Sequence, residues 1–203
     1  MYRFAYILKE TEGIEYRVIV KNVFKHIKLV LKHKYKVFIF CCKIGMPFRG
    51  FMHDWSKFSP TEFWESVKYY NGKRSPIALA KENSGYSKAW LHHKGRNKHH
   101  YEYWYDYRAP EPTPIMPYKY TAEMICDKLS ASMTYKGKEW TNKEPLEYWK
   151  NKEVETAKIN PKIKSMLTEV FEKVAEKGID KVITKKNLKE LYKKHCIEEG
   201  ENK

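Results

Sequence analysis

Apolar residues recur at helical spacing along most of this chain, and only its first twenty positions alternate. Residues 2–8 and 14–20 alternate apolar and polar around Thr11-Glu12-Gly13, which predicts a small N-terminal β-hairpin. Asn22 is a good N-cap, and Val23, His26, Val30, His33 and Val37 then share one helical face. That pattern runs to about Ile44, where Gly45-Met46-Pro47 stops it. Ser59-Pro60-Thr61-Glu62 forms a capping box with Pro at N1, so Phe63 to Tyr70 should be helical, and Ser75-Pro76 starts another helix. Residues 86–107 are rich in aromatics and histidine and should be helical at both ends. Ala109 to Pro117 holds four of the nine prolines and is a loop, a candidate lid. Helices follow over Tyr120 to Tyr135, over the stripe Ile163, Met166, Leu167, Val170, Phe171 and Val174, and over Leu188 to His195, with an irregular stretch before residue 160. The pattern predicts an all-α fold: an extension over 1–21, a helical core over 22–150 and a C-terminal helical extension over 151–203 packed on it.

Composition narrows the class. A chain of 203 residues, 42% hydrophobic and 15% aromatic, can bury a core, which argues against wholesale disorder. The longest apolar run, Val37 to Cys42, is far short of the about 20 residues a bilayer span needs. The first residues carry too short an apolar stretch for a signal peptide. Cys41, Cys42, Cys126 and Cys196 show no CxxC spacing and read as small core residues of a reduced, cytoplasmic protein. The formal net charge is +15, of which the first hundred residues hold +13. Such a surface attracts phosphate: nucleotides, nucleic acid or anionic headgroups.

The histidines sharpen that. Seven of the eight lie between residues 26 and 100. His53-Asp54 opens the string HDWSKF at the end of an apolar segment, and His26 lies upstream on the inward face of the preceding helix. His92-His93 and His99-His100 follow, and Asp127 comes later in a helical stretch. Imidazole with carboxylate is the ligand set of Zn, Fe, Mn, Ni and similar divalent ions, and adjacent His and Asp can serve one ion or two. A helix, a doublet at the end of the next and a distant Asp on a later one is how a bundle brings ligands to its centre. His33 lies two turns from His26, about 10 Å further along the helix, and reads as a surface or core histidine. His195, in a lysine-rich segment, has no functional reading.

These residues resemble the HD-domain superfamily of metal-dependent phosphohydrolases. His26 matches its first histidine, His53-Asp54 its defining doublet, and Asp127 its final aspartate. Three strings, HDWSKFSPTEFW, AWLHHKGRNKHHYEYW and EMICDKLSAS, resemble more closely an uncharacterised family of small bacterial and phage proteins, over roughly residues 20–180. The resemblance implies an HD-like helical bundle in which His26, His53, Asp54, His93, His99, His100 and Asp127 hold one or two divalent ions. Lys57, one turn beyond the doublet, and Arg96, in the turn between the histidine pairs, are placed to hold a substrate phosphate. With Asp54 assisting proton transfer, they form the expected catalytic set.

Two functions fit. The first is metal-assisted hydrolysis of a phosphate ester, such as a nucleotide, on a phosphorylated small molecule. The second is a nucleic-acid-binding or phage-accessory protein whose metal is structural or vestigial, supported by the basic first hundred residues. The sequence favours no membrane partner.

Overall fold

The computed structural model describes residues 16–197. Ten α-helices are present among them, and no strand. In chain order these are α1 (Tyr16–Lys43), α2 (Pro47–Met52), α3 (Pro60–Lys68), α4 (Pro76–Ser84), α5 (Lys88–Arg96), α6 (Tyr118–Lys136), α7 (Glu144–Tyr148), α8 (Pro161–Lys177), α9 (Ile179–Val182) and α10 (Lys185–Tyr192). Short 3-10 turns at Trp55–Phe58 and Tyr101–Trp104 complete the part that matters for function. None of the described helices is long and apolar enough to cross a membrane. The chain divides into two compact units: residues up to 32 with 54–93, and 33–53 with residues from 94 onward.

The all-α expectation holds, and its hairpin needs correcting. Residues 2–8, 14 and 15 lie outside the described part. Residues 16–20, expected in the second strand, are the first turns of α1. Ile19 falls seven residues before His26 and joins the same buried stripe, so a helix buries it as well as a strand would. That stripe continues through Val30, His33, Val37 and Cys41 to Ile44, as the spacing predicted. Cys42 is a second correction. It is exposed, because neighbours on a helix point about 100° apart and Cys41 already takes the inward position. No disulfide is present among the described residues.

In the first unit, the start of α1 meets α3 through His26, whose ring lies 5.5 Å from Phe63 and 6.3 Å from Tyr70. Asn22 does not cap a helix start; its amide donates to the Tyr70 carbonyl at 3.4 Å. Pro60 and Pro76 each sit in the first turn of their helix, as read, since a proline's missing N–H costs nothing there. Glu65 of α3 accepts from the N–H groups of Lys88 and Ala89 and from Ser87 Oγ, so it caps α5 from outside.

The second unit holds a continuous hydrophobic core. The predicted stripe of α8, from Ile163 to Val174, is buried throughout and packs with Ala122, Met124, Ile125 and Leu129 of α6, Val37 and Cys41 of α1, and Leu188 and Leu191 of α10. Six consecutive residues of α6, Thr121 to Cys126, are buried, which marks it as an interior helix. The proline-rich stretch after Ala109 is pinned. Asn160 Nδ2 donates to Thr113 at 2.7 Å, and the Tyr192 hydroxyl donates to Met116 at 2.9 Å. A freely moving lid would carry no such anchors.

Two predictions follow from this packing. A Cβ on Gly50 would stand 2.6 Å from Cys41 Cβ and 2.9 Å from Phe38 Cα, so the bare glycine lets α2 lie directly against α1. Gly50→Ala should cost about 1–3 kcal/mol in thermal or denaturant unfolding; an unchanged midpoint would contradict the close approach. Near the C-terminus, Glu169 accepts from Lys194 at 2.7 Å and from His195 at 2.6 Å. Burial pushes its carboxyl up, but bonds from Lys194, His195 and Lys173 outweigh this and hold it down, from 4.5 to about 2. A carboxyl depressed by folding stabilises above its unfolded pKa and stops doing so as pH falls through its folded one. The stability gap between wild type and Glu169→Gln should therefore close as pH falls from about 5 toward 2; a gap that widens over that range would refute the pairing.

Candidate metal centre

In the second unit, α6 carries Glu123 and Asp127 one turn apart, so both carboxylates share a face. Against them lie His33 on α1, His53 just past α2, and His99 between α5 and the Tyr101–Trp104 turn. Glu123 Oε1 is 3.0 Å from His53 Nδ1 and 3.4 Å from His99 Nδ1, while Oε2 accepts from Arg49 Nη1 at 2.7 Å. With Nδ1 fixed on Glu123, the Nε2 atom of His53 faces His33 Nε2 at 3.4 Å and Asp127 Oδ1 at 3.6 Å. His33 Nε2 is itself 3.0 Å from Asp127 Oδ1, and His99 Nε2 is 3.7 Å from Asp127 Oδ2. The His100 ring lies against His99, tilted by 43° with ring centroids 4.3 Å apart.

This geometry suits a metal ion. At bond lengths of about 2.0–2.2 Å, neighbouring ligands lie about 3.0 Å apart in an octahedron and about 3.4 Å in a tetrahedron. Two of the three spacings among His33, His53 and Asp127, 3.0 and 3.4 Å, match those values, and the third, 3.6 Å, lies just above. His53, His99 and Glu123 form a second group with ligand-type atoms within 4.8 Å of one another, all three buried. The donors are nitrogen and oxygen, which suits Zn, Mn, Fe or Ni. Burial pushes the neighbouring Cys126 thiol well up, so it offers no ready thiolate. Burial pushes both carboxyls up, yet the imidazoles win. Bonds with His53 and His99 hold Glu123 down to about 2, and bonds with His33 and His53 hold Asp127 well below the ordinary range. Anionic carboxylates beside imidazoles are what a divalent cation needs.

The first unit repeats the arrangement on a smaller scale. Asp54 adopts φ 54°, the one left-handed non-glycine among the described residues. Such a backbone costs an L-residue roughly 1–2 kcal/mol, least for Asp and Asn. Buried Asp54 follows His53 directly and faces His93 Nε2 at 3.4 Å and Lys57 Nζ at 2.7 Å. His93 Nδ1 in turn bonds Glu62 Oε2 at 2.7 Å and lies 3.2 Å from Ser56 Oγ; His92 takes the other Glu62 oxygen at 2.6 Å. Glu62 was expected to close a capping box. Its N–H does donate to Ser59 Oγ at 3.4 Å, but its carboxylate serves the histidines. Bonds with His93 and His92 keep it ionised against the upward push of burial.

The remaining expected residues fall as follows. His26 is buried, and neither ring nitrogen has a hydrogen-bond partner. Burial, helped by the Lys57 charge, lowers its pKa to about 4, and it belongs to no ligand group among the described residues. Arg96 lines a cavity of about 550 Å³ in the second unit, together with Arg49, Lys98, Tyr120, Glu123 and His99. Sequence reasoning missed His33, Glu62, Arg49 and Glu123. A signal existed for two of them. Glu123 precedes Asp127 by one helical turn, and His33 shares the heptad face of His26.

An imidazole that binds metal through one nitrogen usually donates through the other to a carboxylate, and losing that partner costs about 10–100-fold in metal affinity. Glu123→Gln and Glu62→Gln should each weaken divalent-metal binding by about that factor in a chelator competition assay, with helical circular dichroism retained. Affinity equal to wild type in both variants would show that neither carboxylate orients a ligand.

Buried clusters of histidine and aspartate thus could hold a metal ion, a finding compatible with an HD-like fold. No curated protein and no solved structure matches the chain. A family model does match residues 22–173, a span that contains all three histidine- and carboxylate-bearing strings, and the chain belongs to that family, the family of unknown function DUF5662.

Proposed function

We propose that the protein is a metal-dependent hydrolase of the HD phosphohydrolase type, acting on the phosphate ester of a small molecule. One observation carries this reading: a buried cluster of imidazoles, each turned by a carboxylate, borders a cavity lined by three cationic side chains, Arg49, Arg96 and Lys98. A structural metal site has no use for such a cavity, and closed structural sites draw mainly on cysteine. The ligands proposed are His33, His53, His99, His100 and Asp127 in the second unit and Asp54 and His93 in the first, while His26, the first histidine of the resemblance, stands in no ligand group among the described residues.

Bound divalent ions there would lower the pKa of a coordinated water toward neutrality and offset charge on the phosphoryl oxygens. The chain's own residues do the rest. Glu123 and Glu62 fix the tautomers of His53 and His93 by accepting from their Nδ1–H groups. Arg96, with Arg49 and Lys98, draws the anion into the cavity. Asp54, a buried carboxylate paired with Lys57, is the proposed proton acceptor, and Lys57 a further proposed cation for the phosphate. Four unbridged cysteines suit the reducing cytoplasm. A discrete cavity favours a small molecule over the nucleic-acid alternative, which would use an extended basic track.

Metal analysis after loading with Zn, Mn, Fe or Ni, joined to a screen of phosphomonoesters, diesters and nucleotides, tests the reading. It predicts stoichiometric metal and a turnover that falls at least about 100-fold in His53→Ala and Asp54→Asn, with the helical signal unchanged. Asn tolerates the left-handed backbone at position 54, so that variant isolates the charge. Absence of bound metal under every loading condition would refute the proposal.

A further inference from the structure

The cavity beside His99 and Glu123 is lined by two unlike sets of side chains. One is cationic: Arg49, Arg96 and Lys98. The other is apolar, with Met46, Phe48 and Met52 around the ring of Tyr120. Phe48 is 76% exposed and Met52 47%, so this set presents open hydrophobic surface next to concentrated positive charge. Arg49 is tied to two other residues of the lining. Its guanidinium lies 4.7 Å from the centre of the Tyr120 ring and donates through Nη1 to Glu123 at 2.7 Å. A guanidinium has five N–H donors in a planar fork, so one bond to Glu123 leaves most of them for the cavity. Stacking and ion pairing fix its position before any ligand arrives, which lowers the entropy cost of binding.

We propose that Arg49 anchors a phosphomonoester bearing a compact apolar or aromatic body, with the phosphate toward Arg49, Arg96 and Lys98 and the body against Phe48 and Met52. The cavity volume of about 550 Å³ is in the range that takes a small molecule. Glu123 would repel an anion if left bare. Its charge is met by Arg49 and by bonds with His53 and His99, which leaves Arg96 and Lys98 as the cationic excess facing the ligand. A dianionic monoester gains more from that excess than a monoanionic diester. Arg49 also holds Glu123 and through it His53, so it acts as a positioning residue for the metal group as well as a ligand contact.

The inference rests on the phosphohydrolase reading for its meaning, but its test does not need metal. Binding of inorganic phosphate, phenyl phosphate and diphenyl phosphate to metal-free protein is measured by calorimetry at fixed ionic strength. The expected order is phenyl phosphate tightest, about tenfold over inorganic phosphate, with diphenyl phosphate weakest. Arg49→Ala should weaken phosphate and phenyl phosphate alike by tenfold or more. Arg49→Lys, which keeps the charge and loses the fork, should fall between. Phe48→Ala should remove only the preference for the phenyl group. Arg96→Ala, on an exposed rim residue, guards against misfolding as the cause and should weaken phosphate several-fold. Equal affinity for phosphate and phenyl phosphate, diester binding as tight as monoester, or phosphate binding untouched in Arg49→Ala would each overturn the proposal. A protein that binds phenyl phosphate as predicted but holds no metal would leave this site standing and remove the hydrolase reading.

Discussion

Two imidazole nitrogens 3.4 Å apart, with a carboxylate oxygen 3.0 and 3.6 Å away, crowd three electron-rich atoms into one spot. With His53 Nδ1 donating to Glu123, a neutral ring presents a lone pair at Nε2 and only a protonated ring a proton. A proton on His33 answers one neighbour well. A divalent ion answers all three, because each contributes a lone pair at ordinary ligand spacing. Burial raises the stakes, since an unmet polar group in low dielectric is costly. Most of the second unit can be understood as the framework that keeps these atoms together.

That framework is specific. Helix α6 is buried over six consecutive residues, so Glu123 has no solvent to turn to and, with the largely buried Asp127 one turn on, meets imidazoles instead. The bare Gly50 sets α2 hard against α1, and the same short helix carries Arg49 and ends at His53. Asp54, left-handed at φ 54°, faces His93, where Glu62 repeats the role of Glu123. In each unit a glutamate turns a histidine, the arrangement by which proteins tune metal ligands.

Much of this was legible in the sequence. The α1 stripe, the capped starts of α3 and α4, the span of α6 and the buried face of α8 all followed from spacing and caps. So did the concentration of chemistry in the doublet, the paired histidines and Asp127. The histidine of α1 was harder. His26 and His33 sit on one face seven residues apart, and periodicity gives the face but not the depth at which partners meet it. Glu62 and Glu123 were hidden for another reason. A glutamate in a capping box, or one turn before an aspartate, reads as a solvated or local residue until tertiary packing buries it. Cys42 shows the converse: an apolar run suggested burial that helical geometry grants to only one of two neighbours.

Diffraction from crystals grown with manganese or zinc, measured at the metal's absorption edge, tests the central claim most directly. The account predicts an anomalous peak within about 2.0–2.2 Å of His33 Nε2, His53 Nε2 and an Asp127 oxygen, with Glu123 still bound to His53 Nδ1. An empty or water-filled space among those three atoms at saturating metal would contradict it and would leave the cluster a protonated, purely structural network.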